Sequence, residues 1–340
     1  MWVKGEYYDS LGPVETIARG ALGASARPWP FDRLDWLKAA AAGLDAPPLI
    51  VRARSEGVDG WLMLAPTGRG RFRTLGADHA HRTAPIFTGP ADGMHRRRLL
   101  RAIATRLRGA ALGVTEIALG PLDRADAGEV ARAFSRCGWV VAARALPPRW
   151  RSETAGHSFD DYWDARSQSL RTRIERAAAR APLDLEVSTV LSPALWDELA
   201  QLTPEADGPF HHFAAAESAA GTLRLAVARC GDTPIAAQLW TVSHGMAVAH
   251  LLAQSRAHKA LSPGAQLAAT MVRYLTNVDH VDAIEWVPGH GWCAEWAEQA
   301  VPRVALRLLN PRRAAAWPAT ALALMSGGLT SSLVRRPALD

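Results

Sequence analysis

Apolar residues recur along this chain in two rhythms, and each change of rhythm marks an element. Leu49 to Arg54 and Trp61 to Leu64 flank the turn Glu56-Gly57-Val58-Asp59-Gly60 and predict two strands. Arg71 to Leu75 and Ile86 to Thr88 are shorter candidates. From about Asp92 to Arg108 the spacing becomes three and four. Leu99, Leu100, Ile103 and Leu107 then share one face, which predicts an amphipathic helix. A strand (Thr115 to Leu119), a helix (about Ala125 to Cys137) and a strand (Trp139 to Ala143) follow. The run Leu146-Pro147-Pro148-Arg149-Trp150 breaks the pattern, and a domain boundary is placed there.

The second half opens at Ser158-Phe159-Asp160-Asp161, an N-cap with an acidic first turn. Its helix is expected to continue through Tyr162, Leu170 and Ile174 to about Arg180. A strand at Leu185 to Val190 precedes two helical patches, around Pro193 to Leu202 and Phe213 to Ala219. Three strands come next, at Leu223 to Arg229, Pro234 to Val242 and Met246 to Ala253, joined by polar Gly-containing turns. A further helix, a strand at Ala283 to Val287, a Trp-rich segment and a strand at Val304 to Leu309 complete the pattern. Both halves end in strand, helix, strand, helix, strand, an order that suggests a structural duplication.

The segment from Gly245 to Leu275 carries the most chemistry. An apolar strand runs into a polar loop that ends at Leu261-Ser262-Pro263-Gly264, where a helix begins. The first N–H groups of a helix lack intrahelical partners, and the helix dipole favours negative charge there. A strand leading into such a terminus can hold a phosphate-bearing ligand along its edge. The same residues also suit an ordinary helix cap with Pro263 in the first turn.

Length and composition narrow the class. The 340 residues suffice for two cores, and with 49% hydrophobic and 21% charged residues the chain is globular. The N-terminal stretch has no apolar run of the signal-peptide kind, and no apolar segment reaches the span of a membrane helix. Cys137, Cys230 and Cys293 lie far apart, which argues for a reducing, cytoplasmic compartment and against a disulfide framework or zinc site. The net charge of +6 comes from arginine, lysine being nearly absent. One basic cluster runs from His95-Arg96-Arg97-Arg98 to Arg108, and another holds Arg166, Arg171, Arg173, Arg176 and Arg180. Solvated helix faces account for both; attraction to anionic lipid, RNA or a phosphorylated cofactor are the alternatives.

Four segments within about residues 158 to 310 stand out: FDDYWDARSQSLRTRIERAAARA, TPIAAQLWTV, LLAQSRAHKALSPGAQL and AIEWVPGHGWCAEW. Together they resemble the GNAT superfamily of acyltransferases. The likeness is to the two-domain branch of cellulose-biosynthesis-type acetyltransferases and Fem-type peptidoglycan-bridge transferases. The resemblance implies an α/β fold of two tandem GNAT-like domains, each a mixed sheet flanked by helices. A degenerate domain would take residues 1–150, the acyltransferase domain 151–312 and an apolar, basic tail 313–340. The C-terminal domain would carry a splayed cofactor strand. By the same likeness, Leu251, Leu252 and Ala253 would bind pantetheine, and Ser262, Gly264, Ala265 and Gln266 pyrophosphate. The chain departs from the branch at Ala253-Gln254-Ser255, where Ala-Tyr-Asp is usual, and at Trp292-Cys293, where Tyr-Lys is usual.

The expected reaction is therefore transfer of an acyl group from acyl-CoA, as co-substrate and without a metal, to a primary amine. The amine must lose a proton and the tetrahedral oxyanion needs donors. Glu285 is the expected base, at the position of the family's acidic residue, and His250 is a second candidate because it titrates in the useful range. His212, taken as part of a loop, and Trp286, Trp292 and Trp296 are the expected acceptor-side residues. An envelope or lipid precursor, such as a sphingoid-type long-chain amine, suits the tryptophans. The tail from Ala314 to Val334 is apolar and bracketed by Arg312-Arg313 and Arg335-Arg336. It packs on the domain or meets an anionic membrane surface from the cytoplasmic side. DNA is not an expected partner. A tRNA-dependent Fem-type aminoacyltransferase and a non-catalytic binding module are the alternatives.

Overall fold

A computed structural model describes residues 3–18, 20–206, 208–289 and 291–325. The chain divides into two compact units. The first comprises Met1–Leu22, Phe31–Pro147 and Pro302–Asp340; the second comprises Gly23–Pro30 and Pro148–Val301.

In chain order the elements are β1 (Lys4–Tyr8), α1 (Gly12–Ala18), α2 (Leu34–Ala42), β2 (Leu49–Ser55), β3 (Val58–Gly68), β4 (Arg71–Thr74) and β5 (Ile86–Thr88). Then come α3 (Gly93–Arg108), β6 (Glu116–Asp123), α4 (Arg124–Arg136), β7 (Val140–Glu153), α5 (Phe159–Asp164), α6 (Gln168–Arg180) and β8 (Asp184–Ser188). The remainder is α7 (Pro193–Leu202), α8 (Pro209–Ala219), β9 (Leu223–Cys230), β10 (Thr233–Ser243), β11 (Met246–Gln254), α9 (Pro263–Asn277), β12 (Ala283–Trp286), β13 (Gln299–Leu309) and α10 (Trp317–Met325).

In the first unit β1, β2, β3 and β4 pair antiparallel in sequence. β4 then pairs parallel with β6, and β6 antiparallel with β13. The predicted stripe of α3 is buried as expected, with Leu99, Leu100, Ile103 and Leu107 packed among the strands. The Asp92 side chain caps this helix by accepting from the N–H groups of Met94 and His95.

The second unit is a mixed sheet in the order β7-β12-β11-β10-β9-β8. β8 to β11 pair antiparallel, and β11 pairs parallel with β12. β10 and β11 are buried on both faces, which is why their sequences read as continuous apolar runs rather than alternating ones. Beneath the sheet, Leu267, Met271, Val272 and Leu275 of α9 meet Trp240, Ala247, Ile284 and Trp286.

Three local expectations are corrected. The helix expected from Ser158 to Arg180 is two helices, α5 and α6. The break falls where the Ser167 hydroxyl accepts from Leu170 N–H and starts α6 afresh. The Leu146-Pro147-Pro148-Arg149-Trp150 run does not interrupt β7, since proline's fixed φ suits extended backbone and both prolines precede Trp150, where the pairing with β12 begins. The Pro147 carbonyl takes a 2.8 Å bond from Arg303 Nε. His211 and His212 lie in α8, with Pro209 in its first turn, rather than in a loop. Of the apolar tail, Ala314 to Met325 forms a short 3-10 turn and α10, while residues 326–340, with Arg335-Arg336, lie outside the described residues. Among the described residues no helix is long and apolar enough to cross a membrane.

Candidate active site

The site begins where β11 and β12 part. Their parallel pairing runs from Met246 opposite Ala283 to Val248 opposite Glu285 and stops, while β11 continues to Gln254. On its other edge β11 carries a bulge. Leu239 faces Leu251 and Trp240 faces Ala249, so His250 is the extra residue. A bulge increases local twist, and here it falls just past the last residue that β12 pairs.

The chain then turns through Ser255–Leu261 into α9. Ser262 takes the left-handed conformation (φ 51°, ψ 44°) as N-cap residue of α9. Its carbonyl accepts from both Ala265 and Gln266 N–H at 3.1 Å. Gly264 N–H donates instead to Gln254 Oε1 at 3.3 Å, so an oxygen already meets this helix terminus. The absent Cβ of Gly264 leaves room for that approach, since one built there would lie 2.7 Å from the same oxygen. Gln238, buried on β10, ties the two elements together: its Nε2 donates to the Gly264 carbonyl at 3.1 Å, and its Oε1 accepts from Trp240 Nε1 at 3.0 Å.

A cleft of about 510 Å³ lies between these parts of the second unit. Leu252, Ala253 and Gln254 of β11 line one side, and Ser262, Gly264 and Ala265 another. Trp292, Glu295 and Trp296 close it, with Arg173, Gln238 and Lys259 contributing polar groups. Arg173 of α6 reaches Glu295 at 2.5 Å. A second cavity, about 550 Å³, shares Arg173 and Ser262 with the first and extends along α6 past Arg176 and Arg180.

The cleft thus brings together Leu252, Ala253, Ser262, Gly264, Ala265, Trp292 and Trp296 of the expected residues. The others sit elsewhere. Leu251 is buried and is not among the residues that line the cleft. Gln266 is buried and donates from Nε2 to the Leu261 carbonyl at 2.9 Å, which holds the turn before α9. His250 is packed edge-on against Phe210 and Phe213, with Nε2 2.9 Å from Thr241 Oγ1. His212 is exposed on α8 beside His211. Trp286 is fully buried behind Trp292 and Trp296, its Nε1 donating to Ser152 Oγ at 3.2 Å.

Glu285 is fully buried on β12 and is not among the residues that line the cleft. Its Oε1 is paired with Arg149 and lies 3.1 Å from Arg151 Nη1, both on the adjoining β7. Burial pushes its carboxyl up, and the two guanidiniums pull it back. Arg173, Gln238, Gln254, Lys259 and Glu295 line the cleft without having been singled out for it from the sequence. Two of them had a signal there: Arg173 as one member of a basic cluster, and Gln254 as part of the departure at Ala253-Gln254-Ser255. Among the described residues no group of three or more His, Cys, Asp and Glu side chains could hold a metal ion.

The arrangement of strand, left-handed turn and helix terminus coincides with a family match. Residues 164–291 match the model of the acetyltransferase (GNAT) domain. That segment, with β11 and the start of α9 inside it, is similar to a GNAT domain. Solved structures extend the likeness over nearly the whole length. The C-terminal domain of a putative lysylphosphatidylglycerol synthetase from Agrobacterium fabrum is 16% identical, with 92% of this chain and 95% of that one covered at a TM-score of 0.59. FemX is 10% identical, with 93% and 99% covered at 0.56. A tandem GNAT protein from the clavulanic acid biosynthesis pathway is 15% identical, with 90% and 98% covered at 0.53. At these identities the likeness is one of fold, and it is the two-domain GNAT fold that the sequence led us to expect. No curated protein matches the chain.

Proposed function

We propose that this protein is an acyl-CoA-dependent N-acyltransferase whose donor lies in the 510 Å³ cleft of the second unit. One observation carries the reading. The cleft is walled by β11 beyond its last pairing with β12 and by the first turn of α9, where Gly264 N–H already receives an oxygen. A donor pyrophosphate takes the place of Gln254 Oε1 at that terminus, and its acyl-bearing arm runs along Leu252 and Ala253. When bound, acyl-CoA would supply a thioester, from which the CoA thiolate is a good leaving group because thiol pKa values are about 8.5.

The acceptor is a primary amine with an apolar body against Trp292 and Trp296, as in a lipid or envelope precursor. Its nitrogen attacks the thioester carbonyl, the C–S bond breaks and an amide forms. Backbone N–H groups of β11 past Val248 are the proposed oxyanion donors. Glu295 is the carboxylate in the cleft lining and is the proposed base for the amine proton. Glu285 is assigned to holding Arg149 and Arg151 instead.

Calorimetry of the full chain with CoA and acyl-CoAs tests the donor. Saturable binding is expected, with Gly264→Glu weakening it at least about tenfold, a cost of about 1.4 kcal/mol for a carboxylate set where pyrophosphate belongs. Absence of binding by the wild type sinks the assignment. Transfer from aminoacyl-tRNA but not from acyl-CoA, in one amine-acylation assay, replaces it with the Fem-type reading.

A further inference from the structure

We infer that Arg176 and Arg180 form a second phosphate subsite, one that takes the 3′-phosphate of a CoA-type donor. This rests on the donor reading above and names which form of the donor the site selects. Arg173, Arg176 and Arg180 stand at positions i, i+3 and i+7 of α6, so they share one face, which flanks the buried stripe of Leu170, Ile174 and Ala177. Together they wall the 550 Å³ cavity, whose lining also includes Ala260 and Ser262 at the entrance to α9.

These arginines do not have the same partners. In the second unit Arg149, Arg151, Arg166, Arg171, Arg224 and Arg229 each hold a carboxylate. Arg173 holds Glu295 at the junction of the two cavities. Among the described residues, no ion pair engages Arg176 or Arg180. Two cations on one face of a cavity, without an internal counter-charge, make a site for an external dianion. Guanidinium forks suit phosphate oxygens in particular.

The position fixes which phosphate. The cavity meets the donor cleft at Ser262, beside the helix terminus assigned to pyrophosphate. A nucleotide whose pyrophosphate sits there and whose ribose carries one more phosphate can place that group along α6. CoA has this pattern and dephospho-CoA lacks only the last phosphate.

The test compares CoA with dephospho-CoA by calorimetry, on the wild type, Arg176→Ala/Arg180→Ala and the charge-keeping Arg176→Lys/Arg180→Lys. Both arginines are exposed, and a thermal melt checks that each variant is folded. In the wild type dephospho-CoA is expected to bind about 10- to 100-fold more weakly, the range for losing charge-assisted hydrogen bonds. The double Ala variant should bind CoA and dephospho-CoA alike, at the wild type's dephospho-CoA affinity, and the double Lys variant should recover part of the preference. Equal binding of the two ligands by the wild type overturns the subsite and leaves the donor reading standing. So does a preference that survives in the double Ala variant. Binding of neither ligand by the wild type overturns both.

Discussion

Two guanidiniums meet the Glu285 carboxylate in the interior of the second unit. Desolvation raises the cost of its charge, while Arg149 and Arg151 oppose that cost, and the carboxylate has no exposed surface. The Arg149 guanidinium also lies 5.0 Å from the centre of the Trp29 ring, so one cation is held by a carboxylate and an aromatic face together. Removing the negative charge leaves Arg149 nearly buried without it. Glu285→Gln is therefore expected to lower the stability of the protein by about 3–5 kcal/mol, the cost of breaking a buried pair from one side. Denaturant unfolding measures this. A loss under about 1 kcal/mol, with acyl transfer abolished, would instead return Glu285 to the role of base and remove it from Glu295.

At the scale of elements, the turn from β11 into α9 depends on one backbone conformation. Ser262 has φ 51°, a left-handed conformation that costs an L-residue about 1–2 kcal/mol and a β-branched one more. Ser262→Val should therefore destabilise by at least about 1–2 kcal/mol and weaken donor binding, because Ser262 and Gly264 line the cleft on either side of Pro263. Ser262→Gly, which meets no such strain, should retain the wild-type melt within about 1 kcal/mol. Parallel melts of the two variants check this, and equal stability of Val and Gly would show that the turn is not held in that conformation. This segment was legible in the sequence because its signals are local: an apolar run, a polar loop, then Ser-Pro-Gly. The break between α5 and α6 was not, since Ser167 reads like any polar helix residue until its hydroxyl is seen to cap Leu170. Nor was the lining role of Gln254, Lys259 and Glu295. Their significance is tertiary, set by β11, a loop and a 3-10 turn converging on one cleft. The tryptophans show both sides: their clustering was readable, but not that Trp286 would be buried while Trp292 stays 36% exposed.

At the scale of the whole molecule, each unit holds titratable groups whose partners or burial make the folded state sensitive to pH, at opposite ends of the range. In the first unit Glu6 is lowered from 4.5 to about 2, chiefly by its hydrogen bond with Lys4 and then with Tyr8. Its contribution is present above the unfolded value and is lost as pH falls through about 2. In the second unit burial pushes the Cys293 thiol from 9.0 to about 12 and the Tyr162 hydroxyl from 10.0 to about 12. Tyr162 donates at 2.5 Å to the Trp296 carbonyl, which also accepts from Ser152 Oγ at 2.9 Å and Arg166 Nη1 at 2.7 Å. Ionising Tyr162 therefore removes one donor from a shared buried acceptor. Between about pH 9 and pH 12 the folded chain keeps protons that the unfolded chain has released, so stability falls as pH rises. Tyr8 of the first unit, raised by burial and by Glu6, adds to the same trend. By pH 11 the two groups of the second unit should remove on the order of 4 kcal/mol relative to pH 8. The check is the urea midpoint from pH 8 to pH 11 in the wild type and in Tyr162→Phe/Cys293→Ala. The variant starts from a lower midpoint, having lost a hydrogen bond and some packing, but its alkaline decline should be distinctly shallower. Equal slopes in the two proteins would mean that neither group is held neutral by the fold.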